Sequence, residues 1–371
     1  MNTIQNDQID TLHVLTLSAP DHLEYFFTVT PGDTDTPEAM LSRLAAAAND
    51  VGAQLVAVDV FGGLGSGADK NKLLGDVFGD VAFPVTWVEE KSGAATHLAG
   101  IQAWGVAGAP VQPLFFEGRV SGAFFDTEFF RYCRLGGITP TDTARPVAEQ
   151  ASAVFRHMDA ALRLSDMHFN QVVRTWFYNH QLLDWYDVFN TARDVFFREH
   201  RVYDNLVPAS TGIEGGNPAG AALVAGALAV APCKADAGMC AVPSPLQCPA
   251  LEYGSSFSRA TEVYAPGSRR LYISGTASIS PDGDTQYEGD VAAQIKRTME
   301  VATAILQSRE MDLTHTTRAT VYFKNAEDFP AYEAWRSAAN APRIPLVFVH
   351  NDVCRDDLLF EIELDAVGVD I

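Results

Sequence analysis

VAAQIKRTMEVATAIL, at residues 291–306, is an altered repeat of VAEQASAVFRHMDAAL, at residues 147–162, and this repetition decides the fold. The two stretches are related by a constant offset of 144 residues, which continues beyond them without a gap. The positions that agree are Val147 and Val291, Ala148 and Ala292, Gln150 and Gln294, Ala160 and Ala304, Leu162 and Leu306, Arg174 and Arg318, Tyr178 and Tyr322, and Asp184 and Asp328. Such a repeat predicts two copies of one structural unit, so a seam between copies is the first place to look for a functional site.

A fainter third copy precedes these two. FPVTWV at residues 83–88 is similar to IPLVFV at residues 344–349, and the same shift of 261 residues places Ile101-Gln102-Ala103 on Ile362-Glu363-Leu364. The apolar pattern upstream predicts a strand at residues 25–29, an alanine-rich helix at 40–49 and a strand at 55–61. The order of elements survives in this copy, whereas its polar residues largely do not.

Each copy is predicted to be a small α+β sheet with two helices on one face. In the last copy the strands are predicted at residues 271–275, 316–323, 346–349 and 358–367, and the helices at 289–309, with apolar Ile295, Met299, Ala302 and Leu306, and at 328–339. In the middle copy a strand is predicted at 172–178 and a longer helix at 184–200. The uncovered sheet faces are expected to pack together around a pseudo-threefold axis, so that the chain is its own trimer.

The predicted domain boundaries follow from this repeat. A degenerate N-terminal unit is expected at residues 12–110, a second unit at 125–231 and a C-terminal unit at 269–371. The segments 108–122 and 232–268 are rich in proline, glycine and serine, and are predicted to be inter-repeat connections. We expect a monomer with an internal pseudo-trimer, although the sequence leaves a dimer open.

Composition and charge narrow the classes of function. The chain has 371 residues, of which 47% are hydrophobic and 20% charged, which is typical of a globular protein. Its formal net charge of -21, without a basic run, argues against nucleic-acid and anionic-membrane binding, so an anionic substrate must be held by a few specific arginines. The absence of a signal sequence and of a long apolar run predicts a cytoplasmic protein.

The cysteines and histidines do not form a metal-binding pattern. The five cysteines are an odd number, which favours free thiols, and Cys233, Cys240 and Cys248 lack the CxxC spacing of structural zinc sites. The nine histidines show no HxH or HExxH spacing. The glycine-rich stretch 62–70 follows a strand but lacks the Gly-Lys-Ser/Thr ending of a P-loop, and is interpreted as a strand-to-helix connection. We expect no metal and no cofactor.

Several fragments of the second and third copies carry a resemblance to known families. They are residues 173–179 (VRTWFYN), 189–193 (FNTAR), 208–212 (PASTG), 253–260 (YGSSFSRA), 272–275 (YISG), 318–322 (RATVY), 342–343 (PR), 354–361 (CRDDLLFE) and 360–363 (FEIE). The last copy resembles the Rid/YjgF family, whose small trimers hydrolyse imines in pockets between subunits. The whole set resembles the chorismatases, in which Rid-like (chorismate-mutase-like) units are fused in one chain with a degenerate N-terminal part.

The resemblance implies an activity and a catalytic acid. Chorismatases cleave the enolpyruvyl ether of chorismate to release pyruvate, without metal or nucleotide. Glu361 resembles their carboxylate that protonates the methylene carbon, and Cys354 resembles the residue that marks the branch producing 3-hydroxybenzoate. The residues themselves agree with an acid, because Glu361 lies in an apolar strand and Glu363 points to the same face, so that repulsion can hold one proton on the pair.

A substrate with two carboxylates requires guanidinium groups. Arg343 matches the carboxylate-binding arginine of Rid proteins, and Arg174 is a lone charge in an apolar strand, for which a salt bridge to a neighbour such as Asp184 is the alternative. The remaining candidates for substrate binding are Arg193, Arg259, Tyr178, Ser210, Thr211, Gly212, Ser274 and Gly275.

The sequence therefore predicts cleavage of chorismate to pyruvate and 3-hydroxybenzoate, in a pocket between the second and third copies. The alternatives are release of a dihydroxycyclohexadiene carboxylate or of 4-hydroxybenzoate, a Rid-type imine deaminase, and a repeat protein that only binds an aromatic acid.

Overall fold

The computed structural model describes residues 2–65, 69–91 and 97–369, which form three sheets of six strands, each with two helices. The first unit contains β1 (Thr3–Ile9), β2 (Leu12–Ser18), β3 (Leu23–Val29), α1 (Pro37–Asp50), β4 (Gln54–Gly62), α2 (Lys70–Phe78), β5 (Val85–Val88) and β6 (Leu98–Ala107). The second contains β7 (Gln112–Phe116), β8 (Arg119–Asp126), β9 (Phe130–Ile138), α3 (Val147–Arg163), β10 (Val172–Asn179), α4 (Leu182–Glu199), β11 (Ala209–Glu214) and β12 (Leu223–Pro232). The third contains β13 (Gly238–Val242), β14 (Ala260–Ala265), β15 (Ser268–Ala277), α5 (Val291–Gln307), β16 (Thr316–Phe323), α6 (Phe329–Ala338), β17 (Leu346–His350) and β18 (Phe360–Val369).

All three sheets have the same topology. In spatial order, each sheet runs from its first to its second, third, sixth, fourth and fifth strand. The fourth and fifth strands pair in parallel through an intervening segment that carries the second helix, and the other neighbours are antiparallel. The predicted α+β fold with three related units is therefore confirmed.

The offset of 144 residues is preserved in the structure. Helices α3 and α5 have 17 residues each and begin at the matching Val147 and Val291. Gln150 and Gln294 also make equivalent hydrogen bonds next to the sixth strand of their sheets. Oε1 of Gln150 accepts from the backbone N–H of Ala222, and Oε1 of Gln294 accepts from that of Leu359. The repeat thus conserves a polar contact as well as an apolar pattern.

Helix α5 shows how the sequence produces one of these elements. Asp290 caps its first turn by accepting a hydrogen bond from the backbone N–H of Ala293 at 3.0 Å. The four apolar residues predicted to face the sheet, Ile295, Met299, Ala302 and Leu306, are all buried. Their spacing of three or four residues places them on one stripe of the helix.

The two segments predicted as connections contain strands. β7 and the beginning of β8 lie in residues 108–122, and β13 and β14 lie in residues 232–268. Their sheets assign these strands to the second and third units, which therefore begin before the predicted residues 125 and 269. The strands lie at or next to sheet edges, where the proline and glycine that favoured a loop are tolerated.

Four apolar cores hold the units together. Each sheet packs its outer face on its own helices, and a fourth cluster combines residues from the inner faces of all three sheets. Phe61, Tyr178 and Tyr322 occupy matching positions in β4, β10 and β16, and all three are buried in this central cluster. The sheets therefore meet around a pseudo-threefold axis.

The fifth strand of each sheet forms the seam with the next unit. β5 lies against β9 and β12, β11 lies against β15, and β17 lies against β6. The glycine-rich stretch 62–70 connects β4 to α2, and its residues 66–68 lie outside the described residues. Within the described ranges, none of the helices has the length and apolar character that crossing a membrane requires.

A buried ion pair joins the degenerate first unit to the second. Arg134 Nη2 lies 2.9 Å from Asp59 Oδ2, and both side chains are almost fully buried. Removing one partner of such a pair leaves an uncompensated buried charge.

We expect Asp59→Ala to lower the free energy of unfolding by about 3–5 kcal/mol in denaturant titration. The exposed pair of Arg145 and Asp142 provides the control, since Asp142→Ala should leave the free energy of unfolding nearly unchanged in the same titration.

Candidate active site

Strand β18 presents three acids to the interior of the molecule. Glu361, Glu363 and Asp365 alternate with Phe360, Ile362 and Leu364, which belong to the core between the sheet and its helices. Because side chains alternate along a strand, the three acids share the opposite face. All three are buried, so each must be neutralised by a proton or by a cation.

Glu363 is neutralised by cations from two units. Its Oε2 lies 2.6 Å from Nη2 of Arg174 on β10, and its Oε1 lies 3.1 Å from Nη2 of Arg318 on β16. The hydroxyls of Thr211 and Tyr322 donate to the same carboxylate. With Glu363 1% exposed and the Arg174 side chain fully buried, this ion pair is a dry link between the second and third units.

Glu361 has a different environment from its neighbour two residues away. It is 4% exposed, and among the described residues none donates a hydrogen bond to its carboxyl group. Burial, reinforced by the negative charge of Glu363, raises its pKa to about 8, while Arg174 and Arg259 act in the opposite direction. At neutral pH the carboxyl group therefore keeps its proton, as the sequence predicted for one member of this pair.

Gly275 on β15 leaves room for the Glu361 carboxyl. A Cβ atom added at Gly275 would collide with Oε1 of Glu361. The backbone N–H of Gly275 donates to the hydroxyl of Thr211 at 3.2 Å, across the seam. The acid thus lies at the junction of β11 and β15, between the second and third units.

The other small polar residues predicted for the site hold this seam together. The hydroxyl of Ser274 accepts a hydrogen bond from the Ser210 N–H at 2.8 Å and donates one to the carbonyl of Ser258. The hydroxyl of Ser210 pairs with that of Thr175 at 3.0 Å. Because these hydroxyls already have protein partners, they fix the backbone around the acid.

Two arginines close to the seam have no acidic partner among the described residues. Arg193 on α4 is 2% exposed, and its Nη2 donates to Oδ1 of Asn190, whereas its Nε is buried without a partner. Arg259 is 5% exposed, and its Nε donates to the carbonyl of Cys248, whereas its Nη2 is buried without a partner. Two buried cations without counter-ions are a site prepared for anionic groups.

Aromatic rings support both guanidinium groups. The Cζ atom of Arg193 lies 5.4 Å from the ring centre of Phe189, and that of Arg259 lies 5.4 and 5.5 Å from the rings of Tyr253 and Phe257. Such cation–π contacts hold a guanidinium group in place without neutralising it.

Three predicted binding residues have other surroundings than the sequence suggested. Arg174 is paired with Glu363, and the alternative partner considered from the sequence, Asp184, is not the one it uses. Tyr178 is buried in the central apolar core. Arg343 is exposed and lies three residues before β17, the strand that packs on β6 of the first unit.

Cys354 lies beside the acid, in the loop between β17 and β18. Burial and the nearby charge of Glu361 raise the pKa of its thiol to about 12, so it stays protonated. The loop is tied to α5, because Nε2 of Gln294 donates to the carbonyl of Asp357. Among the described residues, no cluster of three metal-ligating side chains is present, and the positions of Cys233, Cys240 and Cys248 point to no shared site.

Two tyrosines near the acid were missed from the sequence as site residues. Tyr186 lies close enough to Glu361, Cys354 and Arg193 for their charges to influence its pKa, and Tyr253 is similarly related to Cys354 and Arg259. Burial raises the pKa of both phenols, so both are hydrogen-bond donors. The only available signal was that each lies in or near a fragment, residues 189–193 or 253–260, that carried the resemblance.

Within the part of the chain that the structure describes, only one of the three seams combines these groups. Glu361 lies opposite Tyr322 in the third sheet. The matching residue is Val224, opposite Tyr178, in the second sheet, and Gly100, opposite Phe61, in the first. The seam between the third and first units also has Val347 in place of Thr211, and a Cβ on Gly100 would collide with it. The seam between the second and third units is therefore the candidate active site.

The fixed charge of Glu363 can be tested directly. We expect Glu363→Gln to lower the pKa of Glu361 from about 8 towards its ordinary value of 4.5, because a repulsive charge is lost while Arg174 remains. Adding Arg174→Gln should raise the pKa again, because it removes a charge that favours the carboxylate. Carbon NMR titration of labelled glutamate carboxyls measures both shifts. An unchanged Glu361 titration in Glu363→Gln would contradict this account, and Glu333→Gln on α6 is the control.

Comparison with known proteins agrees with the geometry. Residues 251–368 match the family described as Endoribonuclease L-PSP, the Rid/YjgF proteins. A 3-hydroxybenzoate synthase from Streptomyces hygroscopicus is 27% identical over 267 residues, covering 64% of this chain and 74% of the relative. A chorismatase from Streptomyces rapamycinicus is 30% identical over 118 residues, covering 29% of this chain and 35% of the relative.

A chorismatase of known structure shares the fold. Its crystal structure superposes with a TM-score of 0.62 at 19% sequence identity, covering 94% of this chain and all of the chorismatase. The resemblance inferred from the sequence fragments is confirmed by these matches. The chain is therefore similar in sequence to a 3-hydroxybenzoate synthase and a chorismatase and similar in fold to a chorismatase, and its residues 251–368 match the Endoribonuclease L-PSP family.

Proposed function

We propose that this chain cleaves the enolpyruvyl ether of chorismate and releases pyruvate. The observation that carries this proposal is a protonated, buried Glu361 near two buried arginines that have no acidic partner among the described residues. The names of two sequence relatives, a 3-hydroxybenzoate synthase and a chorismatase, support the same substrate.

The charges of the site fit chorismate, which carries two carboxylates. Arg193 and Arg259 provide one guanidinium group for each, and the unpaired Nε and Nη2 atoms are free donors. Because the net charge of the chain is -21, the field of the whole protein does not attract a dianion. Local pairing with these two arginines therefore determines binding.

Glu361 has the properties of the required general acid. Its proton passes to the methylene carbon, where a C–H bond forms as the enol ether double bond is consumed, leaving an oxocarbenium ion and the Glu361 carboxylate. Arg174 and Arg259 favour the charged carboxyl and stabilise it after transfer. Water then adds to the cationic carbon and returns a proton to Glu361, and the resulting hemiketal collapses to pyruvate and a ring alcohol.

The ring product proposed is 3-hydroxybenzoate. If the ring keeps both hydroxyl groups, the overall reaction consumes one water molecule and the ring product is a dihydrodiol. If the ring loses one hydroxyl group as water, the product is a hydroxybenzoate and the overall reaction consumes no water. Cys354 supplies a neutral thiol next to Glu361, and the name of one relative supports the aromatic outcome.

Replacing the acid tests the reaction. We expect Glu361→Gln to lower the rate of pyruvate release from chorismate at least ~100-fold, because the amide cannot transfer the proton. In the unchanged protein, the rate should fall as the pH rises through about 8, because the active form is the protonated one. Pyruvate is measured with a coupled dehydrogenase assay, and Glu333→Gln, on an exposed acid, serves as the control.

Two outcomes would oppose this function. Pyruvate release no faster than the spontaneous reaction in the unchanged protein would eliminate chorismate cleavage. If the protein nevertheless bound chorismate or 3-hydroxybenzoate, a binding role would remain. A full rate in Glu361→Gln would remove Glu361 as the acid while leaving the reaction in place.

Cys354 is tested by the ring products. If the thiol directs the fate of the ring, Cys354→Ala should change the ratio of 3-hydroxybenzoate to the dihydrodiol while pyruvate release continues. Chromatography against standards of 3-hydroxybenzoate, 4-hydroxybenzoate and the dihydrodiol measures this ratio. The matched control is Cys233→Ala, at an exposed thiol, and an unchanged ratio in Cys354→Ala would argue against the assignment.

A further inference from the structure

The fifth strand of the second unit lacks a large side chain that its counterparts carry. Gly212 on β11 pairs with Phe177 on β10. In the third unit, Phe348 on β17 pairs with Val321 on β16, and Val321 is the residue that matches Phe177 at the offset of 144. The matching residue of β5 is Trp87. Two seams thus carry an aromatic ring at this position, and the seam that contains Glu361 carries a glycine.

The side chain of Tyr186 reaches the space that this glycine leaves. Its hydroxyl oxygen is 3.4 Å from the position of a Cβ atom on Gly212. The ring of Tyr186 stacks on Phe189, with ring centres 6.1 Å apart and planes inclined by 12°. The hydroxyl group is thereby directed at the seam by a ring that the apolar core supports.

A local break in α4 accompanies this placement. Trp185, directly before Tyr186, has non-helical dihedral angles of φ -147° and ψ 17°, and its indole N–H donates to the carbonyl of His180 at 2.9 Å. Interrupted helices and unusual backbone angles are concentrated at functional sites. The break re-aims the following residue, Tyr186, relative to a continuous helix.

The third unit shows what the same position looks like without a tyrosine. Pro330 on α6 matches Tyr186, and together with Phe348 it borders an open cavity of about 400 Å³ at the seam with the first unit. At the candidate active site, the corresponding space is occupied by the phenol. Tyr186 therefore lies in the wall of the seam over Gly212, close enough to Glu361 to feel its charge.

The hydroxyl group of Tyr186 is available to a ligand. Burial raises the pKa of Tyr186 well above its ordinary value of 10, so the phenol is neutral and donates a proton in a hydrogen bond. Among the described residues, none pairs with this hydroxyl. Tyr186 and Arg193 both pack against the ring of Phe189, so the phenol and the guanidinium group lie close to each other beside the seam.

We propose that Tyr186 is a substrate-contacting residue, whose hydroxyl donates a hydrogen bond to the same carboxylate that Arg193 binds. Its ring forms the wall above Gly212 that limits the space for the substrate ring. This role rests on the proposed function, since it assumes a ring that carries a carboxylate.

The test separates binding from turnover by using 3-hydroxybenzoate as a probe. In isothermal titration calorimetry, Tyr186→Phe should weaken binding about 10-fold, because a hydrogen bond to a charged group is lost while the ring remains. With chorismate, KM should rise by a similar factor and kcat should change less than about 2-fold, as expected for an interaction made equally in the ground and transition states. Tyr264→Phe, at an exposed tyrosine, is the control.

A second variant tests the space over Gly212 and leaves the Tyr186 hydroxyl in place. Gly212→Phe introduces the residue found at the matching position of the third unit, and should abolish binding of 3-hydroxybenzoate in a protein that still folds by circular dichroism. Unchanged affinity in either Tyr186→Phe or Gly212→Phe would overturn the role of Tyr186, as would failure of the unchanged protein to bind 3-hydroxybenzoate. If Tyr186→Phe weakens binding but no pyruvate is formed by the unchanged protein, the contact stands and chorismate cleavage does not.

Discussion

The ion pair between Arg174 and Glu363 is the interaction on which the rest of the site depends. It links β10 of the second unit to β18 of the third through a distance of 2.6 Å in a dry interior, where an unpaired charge is strongly unfavourable. Arg318 completes the neutralisation from within the third unit. Glu361 lies on the same face of β18, and its burial, together with the negative charge of Glu363, raises its pKa to about 8. The contact therefore joins the two units at the seam and places a second negative charge close to the buried Glu361.

Fusion of three units in one chain allows the three seams to differ. Val224 replaces the acid in one unit, and Gly100 together with Val347 fills the corresponding space in another. These seams retain apolar packing and buried ion pairs such as Arg134 with Asp59. The first unit has kept the topology and the contacts that close the pseudo-threefold arrangement, while the residues of the candidate active site are concentrated at a single junction. A site of this kind needs no second copy of the chain, since both of its faces belong to one polypeptide.

Two kinds of arginine must be distinguished in this molecule. Arg134, Arg174 and Arg318 have acidic partners and stabilise the contacts between units. Arg193 and Arg259 have none among the described residues, and rest on aromatic rings and single neutral acceptors. Burying a cation without a counter-ion lowers the stability of the fold, and a ligand that supplies the negative charge offsets this loss. This contrast separates the residues that hold the fold from those available for an anionic substrate.

The sequence by itself determined the repeated unit, its α+β character and the strand that carries the acid, because offsets of 144 and 261 residues and alternating apolar patterns are local properties of the chain. It also indicated that Glu361 and Glu363 share one face and one proton. It missed β7, β13 and β14, which lie at or next to sheet edges, because the proline and glycine of their segments favour loops until a neighbouring strand supplies hydrogen bonds. Only the tertiary structure decided which partner each charge finds: Arg174 meets Glu363 instead of Asp184, and Arg343 is exposed to solvent. It alone placed Tyr186 over Gly212, because that contact depends on a helix break and on packing between segments distant in sequence.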